Sequence, residues 1–510
     1  MRVHPCVALL VLSISAFGLL VGCSGTGGIG NTGGLGGNYG AAGDFGATQG
    51  GVQDMGFARE LIAQGQVPPA EAFVVEGMFS EHDLPLQGET PDRLLVLRTA
   101  VGWAPTLAGA DAAWLQVGMS STIDPETYQR SDVSLIATVD VSGSMFWNYG
   151  GDQEEPMTPI AFAKDLLKRM ATELTAADQF ALVTYGTDVS TVMNFTSGDQ
   201  HDLITSTVDG LSENGSTNME AGLERAFSLA GQGQGGRVKR VILFTDVQPN
   251  VGATGATDFE QMATDAAGNG VGLTVIGVGV GLGSEVFEAM SHLRGGNAFT
   301  LMDEEDITDT MAQDWPWMLE PIAYDLNVAL TPGPGFSVTA GYGFPSSDTG
   351  EPELSLTASS VFLSQKRGAL LVQLSADQDT LAFTDLTATG TLSYETPEGE
   401  TVSQDVVVDA SGFTVGEDGR FFEQPSVEEC VALALLVDGM KTASEQYGES
   451  HEQAIATMEQ VVARFEADIA TIEDTSPDDV TMDTELQLAR RLLQLMRDGA
   501  EQGDLYGQTA

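Results

Sequence analysis

The chain has 510 residues, enough for roughly two to four domains with cores of their own. It carries 21 Lys and Arg against 73 Asp and Glu, a formal charge of −52. Such a balance excludes nucleic-acid binding by phosphate neutralisation and disfavours contact with an anionic membrane surface, while it suits solubility and divalent cations.

In chain order, the first element is a targeting segment over residues 1–22. Arg2 is the cation of a short n-region, and Val7 to Val21 is an apolar run too short for a membrane span. It ends at Leu20-Val21-Gly22-Cys23. This run resembles the lipobox of bacterial lipoproteins, and the resemblance implies cleavage before Cys23 and lipidation of Cys23. No later segment is long and apolar enough to cross a bilayer, so the expected mature protein is tethered. Ser24 after the lipidated position is compatible, by analogy with lipoprotein sorting, with an outer membrane. Of the three cysteines, Cys6 leaves with the signal and Cys23 carries lipid. Cys430 then has no intramolecular partner and reads as a small buried hydrophobe on a helix.

Residues 23–51 are Gly-rich and read as a flexible tether with a reach of roughly 30 Å. They contain a G-x-G-x-x-G pattern with no strand before it and no helix after it, so the dinucleotide reading fails. Residues 70–122 hold strand-like pieces, Phe73-Val74-Val75, Leu94 to Leu97 and Trp114 to Met119. A second strand-rich region covers 323–412, with 326–330, 369–374 and 390–394 as examples. The two regions are expected to build one β-sandwich, with the segment between them inserted.

That inserted segment, 131–318, alternates strand and helix. Strands are expected at 133–139, 179–185, 238–245, 272–280 and 297–301, and helices near 159–174, 218–230, 258–268, 284–293 and 303–314. Residues 189–195 offer an antiparallel edge strand. The pattern is that of a doubly wound α/β domain with a mostly parallel sheet. The C-terminal region, 426–503, is helical. Ile455, Met458, Val462, Phe465, Ile469 and Ile472 form one apolar face, and Met482, Leu486, Ala489, Leu493 and Met496 another. They read as a helical hairpin onto which a helix at 427–446 packs.

The chemistry concentrates in the inserted domain. Asp140-Val141-Ser142-Gly143-Ser144 follows the apolar, β-branched strand 133–139. It therefore sits at the carboxyl end of a buried parallel strand, where open α/β sheets bind ligands. A carboxylate and two hydroxyls are hard oxygen ligands, suited to Mg²⁺, Ca²⁺ or Mn²⁺. Gly215-Ser216-Thr217-Asn218-Met219 places a threonine on a loop before a helix. Phe244-Thr245-Asp246 places a second carboxylate at the end of another strand.

Together these pieces resemble the von Willebrand factor A domain and its metal-ion-dependent adhesion site. The resemblance implies that Ser142 and Ser144 ligate a divalent cation directly, that Thr217 does so in the ligand-bound form, and that Asp140 and Asp246 act largely through water. It also implies an exchangeable coordination position that an Asp or Glu of a protein partner fills. Two departures stand out. Val247 follows Asp246 where many bacterial relatives have Gly, and an aromatic and acidic insert, Phe146 to Glu155, follows the motif. Glu81-His82-Asp83-Leu84-Pro85 and the stretch from Phe244 to Gly252 resemble a bacterial lipoprotein group sometimes labelled homologues of calcium-activated chloride channels. Channel activity does not follow, since no pore-forming span is present.

Enzyme signatures are weak. His4, His82, His201, His292 and His451 are scattered without zinc spacing, and no nucleophile elbow occurs. Gly277, Gly279, Gly281 and Gly283 lie between a strand and a helix, but no acidic strand end follows at the distance a dinucleotide loop requires. The expectation is a non-enzymatic, cation-dependent protein-binding module on a lipid-anchored envelope protein. The alternatives are a structural subunit of an envelope assembly with a stabilising cation, and a metal-dependent hydrolase.

Overall fold

The computed structural model describes residues 45–507, apart from 90–92, 125–127, 148–157, 234, 247–255, 279–292, 302–306, 309, 316, 345–353, 378–380 and 476–480. Cys23, the signal segment, the residues after Asp246 up to 255, most of the insert after Trp147 and the expected helix near 284–293 lie outside the described residues.

The segment 45–52 joins two sheets. β1 (Phe45–Gln49) belongs to an antiparallel sheet, and β2 (Gly51–Val52) adds a parallel edge to the sheet of the inserted domain. Both are buried throughout, so the tether expected over 23–51 gives way to packed strand at Phe45. Glycine is required here. A Cβ on Gly46 would overlap the Lys366 carbonyl, and one on Gly50 would lie 2.7 Å from the Gly296 carbonyl oxygen. Helices α1 (Gly56–Ala63) and α2 (Val75–Glu81) follow. Phe73-Val74-Val75, expected as a strand, instead leads into α2. Phe73, Met78 and Phe79 are buried against the C-terminal helices, where helical spacing serves and alternation does not. Strands β3 (Val96–Pro105) and β4 (Asp111–Ser121) pair antiparallel along their length.

The chain then enters the inserted domain. Strands β5 (Val133–Asp140), β6 (Gln179–Tyr185), β7 (Val189–Ser197), β8 (Val238–Thr245), β9 (Val271–Val278) and β10 (Gly296–Leu301) assemble with β2 in the order β2-β10-β9-β8-β5-β6-β7. All pairs are parallel except β6–β7. Helices α3 (Pro159–Glu173), α4 (His201–Asp209), α5 (Met219–Ala230) and α6 (Ala256–Gly268) accompany them. Separate apolar cores cover the two faces, which is why β5 reads as a nearly continuous apolar run. Over the helix expected at 303–314, the described residues are helical at 307–308 and form a short π-helical turn at Thr310–Asp314.

The chain returns to the antiparallel sheet with β11 (Pro321–Pro332), β12 (Phe336–Tyr342), β13 (Leu354–Ser364), β14 (Ala369–Ala376), β15 (Thr387–Glu395), β16 (Thr401–Asp409) and β17 (Phe421–Phe422). With β1, β3 and β4 these form one ten-stranded sheet among the described residues. It bends over a common core: Tyr394 Oη donates to the Leu95 carbonyl (3.1 Å) and Gln404 Nε2 to the Leu97 carbonyl (3.2 Å), closing β15 and β16 onto β3. The α/β domain is thus inserted between two halves of one antiparallel frame. Arg240, fully buried, fastens the insertion by donating to the Leu319 carbonyl (2.9 and 2.7 Å) and the Gly295 carbonyl (2.5 Å).

Three helices, α7 (Pro425–Tyr447), α8 (His451–Thr475) and α9 (Thr481–Gly507), cover the other face of the frame. β4 serves both sides: Ala113, Leu115, Val117 and Met119 enter the sheet core, while Ala112 and Trp114 face the helices. Cys430 lies on α7, a helix apolar nearly all round, and is fully buried. Among the described residues no helix is long and apolar enough to cross a membrane.

The Glu81–Leu84 stretch is a clasp. Glu81 Oε1 accepts from Met55 N (2.7 Å) and its other oxygen pairs with Arg59, which also reaches Glu485 of α9 (2.8 Å). His82 Nδ1 meets Thr481 Oγ1 (3.0 Å), Asp83 accepts from Arg367 N (2.8 Å), and Leu84 N donates to the Arg367 carbonyl (2.8 Å).

Candidate metal centre

β5 and β8 end side by side, and their last residues open the site. Asp140, at the end of β5, is fully buried. Its Oδ1 accepts from Ser142 N (2.7 Å), which curls the loop, and its Oδ2 accepts from Thr245 Oγ1 (3.3 Å) on β8. Ser142 Oγ lies 3.0 Å from Ser144 Oγ, and Ser144 Oγ donates to Asp246 Oδ1 (3.0 Å). Four of the five expected residues therefore form one hydrogen-bonded chain across two strand ends.

The fifth arrives on a neighbouring loop. Gly143 N donates to the Gly215 carbonyl (2.8 Å), Asn214 N to the Val141 carbonyl (2.6 Å), and Thr187 N to the Asn214 carbonyl (2.7 Å). Asn218 caps α5 by accepting from Ala221 N (3.2 Å). Thr217 precedes this cap and is 1% exposed. Gly215 has φ +64, a left-handed turn that favours glycine, and a Cβ on Gly186 would overlap the Asn214 carbonyl. These two glycines let the three loops lie this close.

Electrostatics follow from burial. The Asp140 carboxyl is pushed up to about 6 by desolvation, against the lowering effect of bonds from Ser142, Thr245 and Tyr185. The Tyr185 phenol rises well above its ordinary value through burial and through the Asp140 and Asp246 charges. Among the described residues no Lys, Arg or His forms an ion pair with Asp140. The donor set is two carboxylates and three hydroxyls, all hard oxygen. It fits a divalent cation, whose charge would offset two buried carboxylates while the hydroxyls add no charge. No three His, Cys, Asp or Glu side chains converge as a closed cage among the described residues, consistent with a site that relies on hydroxyls and water.

Sequence reasoning missed Thr245 and Tyr185, which hold Asp140 from β8 and β6, and Glu213. A Cβ on Gly143 would lie 3.4 Å from Glu213 Oε1, so a third, exposed carboxylate borders the loop. Thr245 precedes Asp246, and that adjacency was the available signal. Glu213 carries no pattern that marks it.

Residues 134–313 match the family described as the von Willebrand factor type A domain. A curated relative, the uncharacterized protein YfbK of Escherichia coli (strain K12), is 27% identical over 290 residues, covering 54% of this chain and 48% of the relative. The chain thus spans about half the length of that relative. Among solved structures, a von Willebrand factor type A protein from Catenulispora acidiphila is 15% identical, covering 79% of this chain and 91% of that one at a TM-score of 0.45. The ArnB paralog VWA2 from Sulfolobus acidocaldarius is 16% identical, with 79% and 97% covered and a TM-score of 0.39. Proximal thread matrix protein 1 from the mussel byssus, with a zinc-occupied MIDAS motif, is 23% identical, with 36% and 46% covered and a TM-score of 0.30. The inserted α/β domain of this chain is a von Willebrand factor type A domain, a kind of module that mediates protein–protein interaction.

Proposed function

We propose that this chain is a non-enzymatic, divalent-cation-dependent protein-binding module on a lipid-anchored envelope protein. The observation that carries the reading is the hydrogen-bonded chain Ser142–Ser144–Asp246 beside buried Asp140. In it, Asp140, Ser142, Ser144, Thr217 and Asp246 would hold Mg²⁺, Ca²⁺ or Mn²⁺. The ion supplies an electrophilic position that a carboxylate can enter. Burial of Asp140 and its Thr245 bond keep the loop in shape for this, and the fixed Gly143–Gly215 contact keeps Thr217 near it. The recognised element on the partner is an Asp or Glu side chain.

Calorimetric titration of Mg²⁺, Ca²⁺ and Mn²⁺ into the wild type, Asp140→Ala and Thr217→Ala tests the site. Saturable binding weakened in both variants supports it, and identical behaviour of all three proteins overturns it. Anchoring is tested separately. Metabolic labelling with a fatty acid should mark the wild type and spare Cys23→Ala, and equal labelling would remove the anchor from this reading.

A further inference from the structure

Of the five tryptophans in the chain, four are packed. Trp103, Trp114 and Trp315 are at most 5% exposed, and Trp317 lies against Phe45 and Tyr128 with ring centroids 5.0 and 4.9 Å away. Trp147 is 63% exposed, and no hydrogen bond or ring contact engages its indole among the described residues. A large apolar ring with a polar N–H is the side chain that most often anchors a binding surface. Its place in the fold adds to this. Phe146 N donates to the Gly143 carbonyl (3.1 Å) and Trp147 N to the Ser144 carbonyl (2.9 Å), so one tight helical turn carries Trp147 away from Ser144. Met145 is buried and Phe146 packs against the domain core, which fixes that turn. The open indole therefore stands within one turn of a candidate cation ligand.

The charge around the loop selects what can cover it. Glu213 borders Gly143, and Asp188 N donates to Asn214 Oδ1 (3.2 Å) on the same loop cluster. Both carboxylates are exposed, and neither forms an ion pair among the described residues. The cations of the adjoining helices are spent. Lys164 of α3 donates to the Asp209 and Leu211 carbonyls (3.0 and 2.9 Å), and Lys168 and Arg169 pair with Asp209 and Asp165. Arg225 of α5 donates to Thr191 Oγ1 (2.6 Å). Asp140 and Asp246 would already offset the charge of a divalent ion. A carboxylate entering the ion's open position then adds negative charge beside a negative rim. Salt screens charges beyond roughly 8 Å, so the compensation has to come from the partner, close to its carboxylate. In an extended segment rising about 3.3 Å per residue, that means within two residues on either side. Arginine and lysine also lie favourably on an indole face.

We propose that the centre at Asp140 takes a basic protein segment, one Asp or Glu flanked within two residues by Arg or Lys. The carboxylate enters the metal position, Trp147 packs on a flanking side chain, and Glu213 meets its charge. The inference rests on the function proposed above and adds the flanking chemistry of the partner to it. An acidic surface, such as a second copy of this chain with its charge of −52, is disfavoured by the same rim.

The test displays random peptides with one fixed central Asp on phage, selects them on the full chain in Mg²⁺ and in Ca²⁺, and elutes with chelator. Parallel selections use Trp147→Ala, Trp147→Phe and Glu213→Lys, and calorimetric titration of each protein with the same cations records the state of the metal centre. The wild type should enrich Arg and Lys within two residues of the Asp. Trp147→Ala should weaken the selected peptides by roughly thirty-fold, the share of an aromatic anchor, and Trp147→Phe should recover most of that loss. Glu213→Lys should turn the enrichment from basic to neutral or acidic flanks. Three results would overturn this inference alone in a wild type that binds cation: no chelator-dependent peptides, unbiased or acidic flanks, or equal peptide affinity in Trp147→Ala. A wild type that binds no cation would overturn the metal reading and this inference together.

Discussion

A buried carboxylate meets each end of strand β5, one from the residue before β6 and one of its own, and the two are treated oppositely. At its start, Asp178 accepts from Val133 N (2.9 Å) and receives both Nη atoms of Arg130 (2.8 and 2.7 Å). Burial alone would raise its carboxyl, but the Arg130 pair and the backbone donors bring it down to about 2. At the other end, Asp140 has hydroxyl and amide donors only and rises to about 6. Both side chains are essentially removed from solvent. The difference is a resident guanidinium. A buried carboxylate with its own cation is structural, whereas one surrounded by hydroxyls leaves its charge to be met by something that comes and goes.

The largest effect should come from breaking the structural end. Arg130→Ala leaves Asp178 buried and unpaired and should cost about 3–5 kcal/mol in chemical denaturation, with cation affinity unchanged. The next should have the opposite sign. Asp140→Asn removes an uncompensated buried charge and should stabilise the metal-free chain by about 1–3 kcal/mol at neutral pH while abolishing cation binding. A loss of stability there would mean that Asp140 is paired after all.

The pH dependence sharpens the contrast. Asp140 binds its proton more tightly folded than unfolded, so metal-free stability should fall as pH rises from about 4 to about 6. Asp178 binds its proton less tightly folded, so its contribution is present above about 4 and lost as pH falls towards about 2. Denaturation midpoints across pH 2–7, with and without divalent cation, check both limbs, and saturating cation should flatten the upper one. Thr217→Ala should weaken cation binding by about 1 kcal/mol, roughly five-fold, in calorimetry. Smallest of all, removing the exposed Arg497–Glu459 pair (2.6 Å) should shift stability by less than about 1 kcal/mol.

The sequence announced the inserted domain well because its strands are buried on both faces and read as nearly continuous apolar runs, from Val133 to Val139 with only Ser134 and Thr138 polar, and from Val241 to Phe244. Asp140 and Asp246 stood out because they follow those runs. The frame was legible in its β4 and β14 strands and less so at its margins. β2 is two residues long inside a glycine-rich stretch, and its strand character comes from pairing with β10, a contact the local sequence does not encode. Val74 and Val75 suggested a strand by β-branching, yet burial under the helical layer decided for a helix. Helix α4 went unseen because only Ile204 and Val208 of its nine residues are buried. Arg130 and Asp178 are 48 positions apart, and no spacing rule links them.

The seam at Phe45–Val52 also determines how load would travel. β1 runs antiparallel between β13 and β4, so its ladder bonds lie across the strand axis. A pull along the N-terminal segment strains those bonds together rather than one after another. It meets the frame before it reaches β2 and the sheet that ends at Asp140. A load entering at Phe45 would therefore be borne in the antiparallel frame, and the strand end at Asp140 would keep its geometry under that load.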